Sequence, residues 1–353
     1  MKQVFEGDLD IERLVLSISA ETGVSIEAEN TLIIFDEVQE VPKALTSLKY
    51  FYENAPQYAI VAAGSLLGVA LHQGTSFPVG KVDFLDLYPL NFREFLCAMG
   101  EKQFVSMLDS CDTQMVTVFK TKYIERLREY YFVGGMPEVV KDFSEKKDYN
   151  RVRAIQKNLI NYYQQDFSKH AEIKLVPRLN LVWNSIPMQL AKENKKYIYG
   201  QVREGSRAKD FELAIQWLLD CGLIHKVQRI QKPDLPLKAY IDFDAFKLFL
   251  VDIGLLIAMT DLDAKVIIEG NKIFTEFKGA LTEQYILQQL ISDVGVIPYY
   301  YSTQNSKGEI DFLVQGKTSV IPIEVKAEEN LKAKSLKAVS YTHLRAHETL
   351  RHL

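Results

Sequence analysis

Cysteine is scarce in this sequence: the three cysteines among 353 residues lie far apart, at Cys97, Cys111 and Cys221. This spacing excludes a disulfide-stapled secreted scaffold and does not supply the paired ligands of a zinc site. We therefore expect free thiols in a reducing compartment, which predicts a cytoplasmic protein.

Long apolar runs are also missing. The first residues show no apolar core of a secretory signal. The most apolar stretch, residues 240–259, contains Asp242, Asp244, Lys247 and Asp252, which is too much charge for a membrane span. We expect a protein without a membrane partner.

A strong net charge is absent as well. The formal charge is −4, so no field over the whole chain attracts nucleic acid or acidic lipid. Hydrophobic residues make up 47% of the chain, which is enough for sizeable cores and argues against disorder. The length predicts two or three domains.

The sequence lacks the phosphate-binding loop Gly-x-x-x-x-Gly-Lys-Ser/Thr, known as a Walker A motif. Residues 74–82 imitate it, but five residues separate Gly74 from Gly80, and Val82 stands where a hydroxyl is required. We therefore interpret this stretch as an ordinary loop.

Two adjacent carboxylates stand out among the features that are present. Residues 32–35 (Leu-Ile-Ile-Phe) predict a strand buried on both faces, and Asp36 and Glu37 follow it directly. Ligands of open parallel sheets bind beyond the carboxyl ends of the strands. An Asp there can hold Mg²⁺, and a neighbouring Glu can orient the water that attacks a γ-phosphate. The simpler interpretation is a core strand that ends in a solvated acidic turn.

A second apolar run at residues 59–63 predicts another buried strand, and Gly64 and Ser65 follow it. A hydroxyl at the carboxyl end of such a strand can hydrogen-bond a γ-phosphate or the attacking water. Gly and Ser are also ordinary turn residues, so a plain strand-to-loop turn is the alternative.

The stretch from residue 32 to 95 resembles the prokaryotic AAA-type P-loop ATPases that carry a C-terminal domain of unknown function. The resemblance continues to about residue 338. The motifs that carry it are residues 32–39 (Leu-Ile-Ile-Phe-Asp-Glu-Val-Gln), 48–51 (Leu-Lys-Tyr-Phe), 63–68 (Ala-Gly-Ser-Leu-Leu-Gly), 77–82 (Phe-Pro-Val-Gly-Lys-Val) and 87–92 (Leu-Tyr-Pro-Leu-Asn-Phe).

The resemblance implies an ATP- and Mg²⁺-dependent ATPase in which Asp36 and Glu37 form the Walker B pair and Ser65 senses the phosphate. Members of that family carry a Walker A loop before the Walker B strand. The resemblance therefore implies that this chain is a fragment without the phosphate cradle, and we expect it to be inactive in ATP hydrolysis as it stands.

The middle of the chain predicts mostly helices. Residues 115–132 predict one helix, and residues 82–85 before them predict a short strand that leads to a helix capped by Asn91. A helix at 207–221 followed by strand candidates at 223–230 and 239–243 predicts a winged-helix unit.

Residues 273–326 predict a helix and three strands, in an arrangement that resembles the PD-(D/E)XK nuclease fold. Glu283, Asp311 and Glu324 would then hold Mg²⁺ or Mn²⁺. Lys326 lies on the same face as Glu324 and would place a water or stabilise a phosphate. The alternative is an inherited fold with an unused acidic pocket, because a fold does not by itself imply its chemistry.

The fold class predicted from these patterns is α/β, with a partial P-loop parallel sheet, a helical and winged-helix middle and a small nuclease-like C-terminal domain. The predicted boundaries are 1–100, 101–265 and 266–338. Residues 339–353 do not fit the family pattern, look like a translated sequencing adapter, and are treated as a non-native tail.

Three functions follow as hypotheses. The first is an AAA-type ATP-binding protein whose partner is a nucleotide. The second is a metal-dependent nuclease that acts through the C-terminal domain. The third is a non-catalytic module that binds DNA or another protein.

Overall fold

The computed structural model describes residues 2–64, 80–192, 195–269, 275–303 and 308–326. The chain divides into two compact units. One comprises residues 1–87 with 216–223, and the other comprises 88–215 with 224–353. The predicted sensor Ser65 and the predicted tail at 339–353 lie outside the described residues. None of the helices within the described ranges is long and apolar enough to cross a membrane.

The first unit is a small parallel α/β layer. After a 3-10 turn at Lys2–Phe5, its elements are α1 (Ile11–Thr22), β1 (Leu32–Phe35), α2 (Pro42–Asn54) and β2 (Ala59–Ala62). Asp10 caps α1 by accepting a hydrogen bond from the Arg13 backbone N–H, and Pro42 opens α2. The two strands confirm the sequence predictions at residues 32–35 and 59–63.

The two-stranded sheet buries one face only. Ile33 is 6% exposed and its face packs towards the core formed with α1 and α2, whereas Leu32, Ile34 and Val61 on the other face are 54%, 60% and 48% exposed. The prediction that β1 is buried on both faces is therefore wrong for the described residues. The apolar run is continuous, but the described helices cover a single face of the sheet.

The second unit begins with helices. A capping box between Asn91 and Glu94 starts the first of them, as the sequence predicts. The helices before the second sheet are α3 (Phe92–Ala98), α4 (Lys102–Asp109), α5 (Thr113–Val118), α6 (Lys120–Val133), α7 (Pro137–Lys146), α8 (Tyr149–His170), α9 (Val176–Leu190) and α10 (Tyr199–Val202). Helix α11 (Ala208–Asp220) follows, and its C-terminal residues belong to the first unit.

Two predictions about residues 80–132 are wrong. The single helix at 115–132 is interrupted at Phe119, whose φ and ψ of −101° and 15° are not helical, so α5 and α6 are separate. Residues 82–90 do not form a strand. Their apolar side chains Phe84, Leu85 and Leu87 are 61%, 86% and 90% exposed, so no buried face stabilises a strand there.

A five-stranded mixed sheet dominates the rest of the second unit. Its strands are β3 (Ile224–Ile230), β4 (Ile241–Leu250), β5 (Tyr299–Ser302), β6 (Glu309–Gln315) and β7 (Val320–Ile323), in the order β4-β3-β5-β6-β7. β3 pairs with β5 in parallel, and the other neighbours are antiparallel. The sheet thus runs across the boundary predicted at residue 265, and the domain limits and the winged-helix unit stay predictions.

The helices α12 (Ile253–Met259), α13 (Ala264–Ile268) and α14 (Thr275–Ser292) complete the described part of this unit. A buried carboxylate ties them to the earlier helices. Asp252 accepts hydrogen bonds from the Gly135 N–H at 2.6 Å, the Leu255 N–H at 3.0 Å and Gln288 Nε2 at 3.2 Å. This fully buried side chain therefore joins the turn after α6 to the start of α12 and to α14.

Candidate functional site

The carboxyl edge of the parallel sheet is the first candidate site. β1 and β2 are in register from Leu32 opposite Ala59 to Phe35 opposite Ala62. Backbone hydrogen bonds continue past both strands, from the Ala63 N–H to the Phe35 carbonyl at 2.8 Å and from the Val38 N–H to the Ala63 carbonyl at 3.0 Å. The residues after β1 are consequently fastened to the end of β2.

Asp36 and Glu37 occupy this edge, and both are exposed. Asp36 Oδ1 accepts a hydrogen bond from the Glu37 N–H at 3.0 Å. Glu37 itself has a left-handed backbone with φ 49°, which is uncommon for a residue with a side chain and marks a sharp change of chain direction. Exposed carboxylate oxygens in this place have the chemistry that Mg²⁺ prefers.

Gln39 and Gly64 complete the edge. Gln39 Nε2 donates a hydrogen bond to Glu37 Oε2 and so orients that carboxylate. A Cβ on Gly64 would lie 2.2 Å from Gln39 Oε1, so the end of β2 lies directly against this side chain, which would have to move to make room for a larger residue. Sequence analysis identified the two carboxylates but missed Gln39, for which the short Glu-x-Gln spacing is the only signal.

The acidic pocket of the five-stranded sheet is the second candidate site. Lys247 on β4 is 1% exposed, and its Nζ lies 2.5 Å from Glu309 Oε1 on β6 and 3.5 Å from Glu283 Oε2 on α14. Lys195 pairs with the other oxygen of Glu283. Lys247 Nζ also lies 4.8 Å from the centre of the Tyr300 ring, within cation–π range.

The charges of this network stabilise one another. Burial alone lowers the pKa of Lys247, but Glu283 and Glu309 raise it above its ordinary value. Burial raises the pKa of Glu283, and Lys247 and Lys195 outweigh this effect and lower it. Both groups are therefore charged at neutral pH.

Asp311 lies on β6, and Glu324 directly follows the neighbouring strand β7. Phe312 pairs with Ile323 at the end of β7, so the two carboxylates lie near each other, and the charge of Glu324 contributes to raising the pKa of Asp311. Asp311 Oδ2 accepts a hydrogen bond from the Val325 N–H at 2.7 Å. The structure thus brings these two predicted ligands together.

The carboxylates of Glu324 and Asp311 differ in their contacts. Lys326 Nζ lies 2.5 Å from Glu324 Oε1, whereas Glu324 Oε2 is buried without a hydrogen-bond partner among the described residues. Burial and the charge of Glu283 raise the pKa of Asp311 to about 7. Asp311 therefore carries its charge only in part at neutral pH.

A divalent cation does not fit this pocket well as it is built. Both oxygens of Glu283 are already paired with lysines, and one oxygen of Glu324 is paired with Lys326. A divalent ion about 5 Å from a single ammonium group would meet roughly 7 kcal/mol of repulsion at an effective dielectric constant of about 20. Within the described ranges, no group of three or more His, Cys, Asp or Glu side chains is arranged to hold a metal. Metal binding by Glu283, Asp311 and Glu324 stays a prediction.

Sequence analysis missed Lys195, Lys247 and Glu309 as members of this pocket. One signal was available for Lys247. It is the single charged residue in an otherwise apolar run at 245–250, and a charge in a buried strand is almost always paired. The sequence does not show its partners, because they come from α14 and β6.

Comparison with known families finds three matches along the chain. Residues 3–96 match the AAA domain family, residues 124–266 match a domain of unknown function (DUF8612), and residues 278–351 match another domain of unknown function (DUF4143). These matches confirm the likeness to an AAA-type ATPase with a C-terminal domain of unknown function. The last match reaches into the segment that sequence analysis set aside as a tail.

Among solved structures, the chain is similar to the Walker-type ATPase of Pyrococcus abyssi, with a TM-score of 0.43 and 15% sequence identity. The similarity covers 72% of this chain and 68% of that one. No curated protein matches the sequence.

Proposed function

We propose that residues 3–96 supply the Mg²⁺- and water-positioning carboxylates of an AAA-type ATPase. The observation that carries this proposal is the position of Asp36 and Glu37 at the common carboxyl edge of the two parallel strands, where ligands of such sheets bind. The AAA domain match over the same residues supports it.

In this proposal Asp36 holds the Mg²⁺ of a bound nucleotide and Glu37 orients the attacking water. A Mg²⁺ ion held there would supply positive charge against the negative charge that develops on the phosphates. Gln39 fixes the direction of the Glu37 carboxylate through its hydrogen bond. The backbone hydrogen bonds between the residues after β1 and the end of β2 keep both carboxylates beside β2.

The chain as given should bind ATP weakly or not at all. Its sequence lacks the glycine-rich loop whose N–H groups and lysine make most contacts to the β- and γ-phosphates. Isothermal titration of the purified chain with ATP and Mg²⁺ tests this expectation, and tight binding would contradict it.

A form of the protein that carries such a loop before residue 1 allows a test of the roles. There, Glu37→Gln should leave ATP binding intact and reduce hydrolysis by about 100-fold or more, the usual contribution of a general base. Glu40→Gln, which changes another exposed acid three residues along the chain, is the matched control and should leave turnover unchanged. Unchanged turnover in Glu37→Gln would remove Glu37 from this role.

A metal-dependent nuclease is the second candidate function. The buried Glu324 Oε2, which has no hydrogen-bond partner among the described residues, favours it, because the Asp311 carboxylate lies near Glu324. Plasmid cleavage by the chain with Mn²⁺, lost in Asp311→Asn and in Lys326→Ala, would support this candidate. Equal cleavage by the three proteins would indicate a contaminating nuclease.

Binding of DNA or of another protein is the third candidate. Salt-dependent retention of a short DNA duplex would favour it, because contacts with phosphates weaken steeply as salt rises. Salt-dependent DNA binding without DNA cleavage would distinguish this candidate from the nuclease.

A further inference from the structure

A buried lysine lies inside the acidic pocket of the five-stranded sheet. The Lys247 side chain is 1% exposed, and its ammonium group reaches carboxylates from two different elements, Glu283 on α14 and Glu309 on β6. The face of the Tyr300 ring lies on a further side at 4.8 Å. The ammonium group is thus surrounded by carboxylate oxygens and an aromatic face, an environment that is typical of a bound cation.

The charges of the pocket are nearly balanced without any metal. The carboxylates are Glu283, Glu309, Asp311 and Glu324, and the ammonium groups that pair with them are Lys195, Lys247 and Lys326. This leaves one negative charge in excess, which disappears when Asp311 binds a proton. A buried group of carboxylates needs such compensation to remain folded.

We infer that Lys247 is a tethered cation that takes the place of a divalent metal ion in this pocket, so that removal of its ammonium group creates a divalent-cation site. The donor atoms for such an ion are then the oxygens of Glu283 and Glu309 that now pair with Lys247, together with the nearby carboxylate of Asp311. Oxygen ligands of this kind suit Mn²⁺ and Mg²⁺. The inference does not depend on the proposed ATPase role.

The test compares the full chain with Lys247→Met, which keeps an unbranched apolar side chain and removes the ammonium group. Melting is followed with and without 1 mM Mn²⁺, in the absence of nucleotide. The melting temperature of wild type should not shift, whereas that of Lys247→Met should rise by roughly 2 to 3 °C if the ion is present at about ten times its Kd. The double variant Lys247→Met with Asp311→Asn should lose that gain, which locates the ion in the pocket.

A second measurement keeps the inference testable if Lys247→Met does not fold. Electron paramagnetic resonance of Mn²⁺ titrated into the wild-type chain and into Asp311→Asn should show equal amounts of free ion. Mn²⁺ binding by wild type that Asp311→Asn abolishes would overturn the inference, because the pocket would then accept the ion with Lys247 in place. A folded Lys247→Met without any response to Mn²⁺ would also overturn it.

Discussion

Replacement of Asp311 by Asn should stabilise the protein at alkaline pH. Burial and the neighbouring Glu283 raise the pKa of Asp311 from 3.8 to about 7. Each tenfold change in proton affinity corresponds to about 1.4 kcal/mol. Above pH 7, where Asp311 is ionised, its charge therefore lowers the free energy of unfolding by about 4 kcal/mol. An Asn oxygen can still accept the hydrogen bond from the Val325 N–H at 2.7 Å.

The sign of the pH dependence follows from linkage. The folded state holds the Asp311 proton more tightly than the unfolded chain does, so the cost is absent below about pH 4 and complete above about pH 7. The contribution of Asp311 to stability therefore falls as pH rises through this window. The free energy of unfolding of Asp311→Asn should exceed that of wild type by about 4 kcal/mol at pH 8 and by about 1.5 kcal/mol at pH 5.

Urea unfolding of both proteins at the two pH values measures these differences. Asp244→Asn, which changes an exposed carboxylate on β4 of the same sheet, is the matched control and should stay within about 0.5 kcal/mol of wild type at both. A difference between Asp311→Asn and wild type that is the same at pH 5 and pH 8 would refute the reasoning, since Asp311 would then not titrate in this window.

Three further predictions concern stability and use urea unfolding. Gly134→Ala should cost more than about 3 kcal/mol, because its φ is +76° and a Cβ would lie 2.2 Å from Asp252 Oδ1; Gly200→Ala, with no atom within 4 Å, should not be destabilising. Asn91→Ala removes the side-chain oxygen that accepts the Glu94 N–H in the capping box, and it should lower the free energy of unfolding by about 1 kcal/mol. Lys326→Ala should lower the free energy of unfolding by about 1–3 kcal/mol, because Glu324 is only 8% exposed and loses the ammonium group that pairs with it.

Local patterns in the sequence were sufficient for much of the fold. The apolar runs at β1 and β2 predicted strands, because continuous apolar residues mark buried strands. Asn91 as a helix cap likewise predicted the start of α3. These signals lie within a few residues of the elements they define.

Signals that depend on distant partners were misinterpreted or missed. Residues 82–85 have the composition of a strand, but the fold gives them no buried face. The ion pairs of Lys247 join β4 to α14 and β6, so its role as the centre of the acidic pocket depends on tertiary structure. The sequence revealed most of the carboxylates of the two candidate sites, and Lys326, but it did not reveal Glu309 or the two lysines that pair with Glu283.

The parallel pairing of β3 with β5 has a consequence for the order of folding. Arg229 and Ile230 reach Tyr300 and Tyr301 only after the whole intervening chain has closed as a loop, at an entropic cost of about 4 kcal/mol. The hairpin of β3 and β4 involves nearby residues and forms sooner. During synthesis on the ribosome, β3 therefore keeps one bare edge until β5 emerges, and in that interval it is open to pairing with another chain.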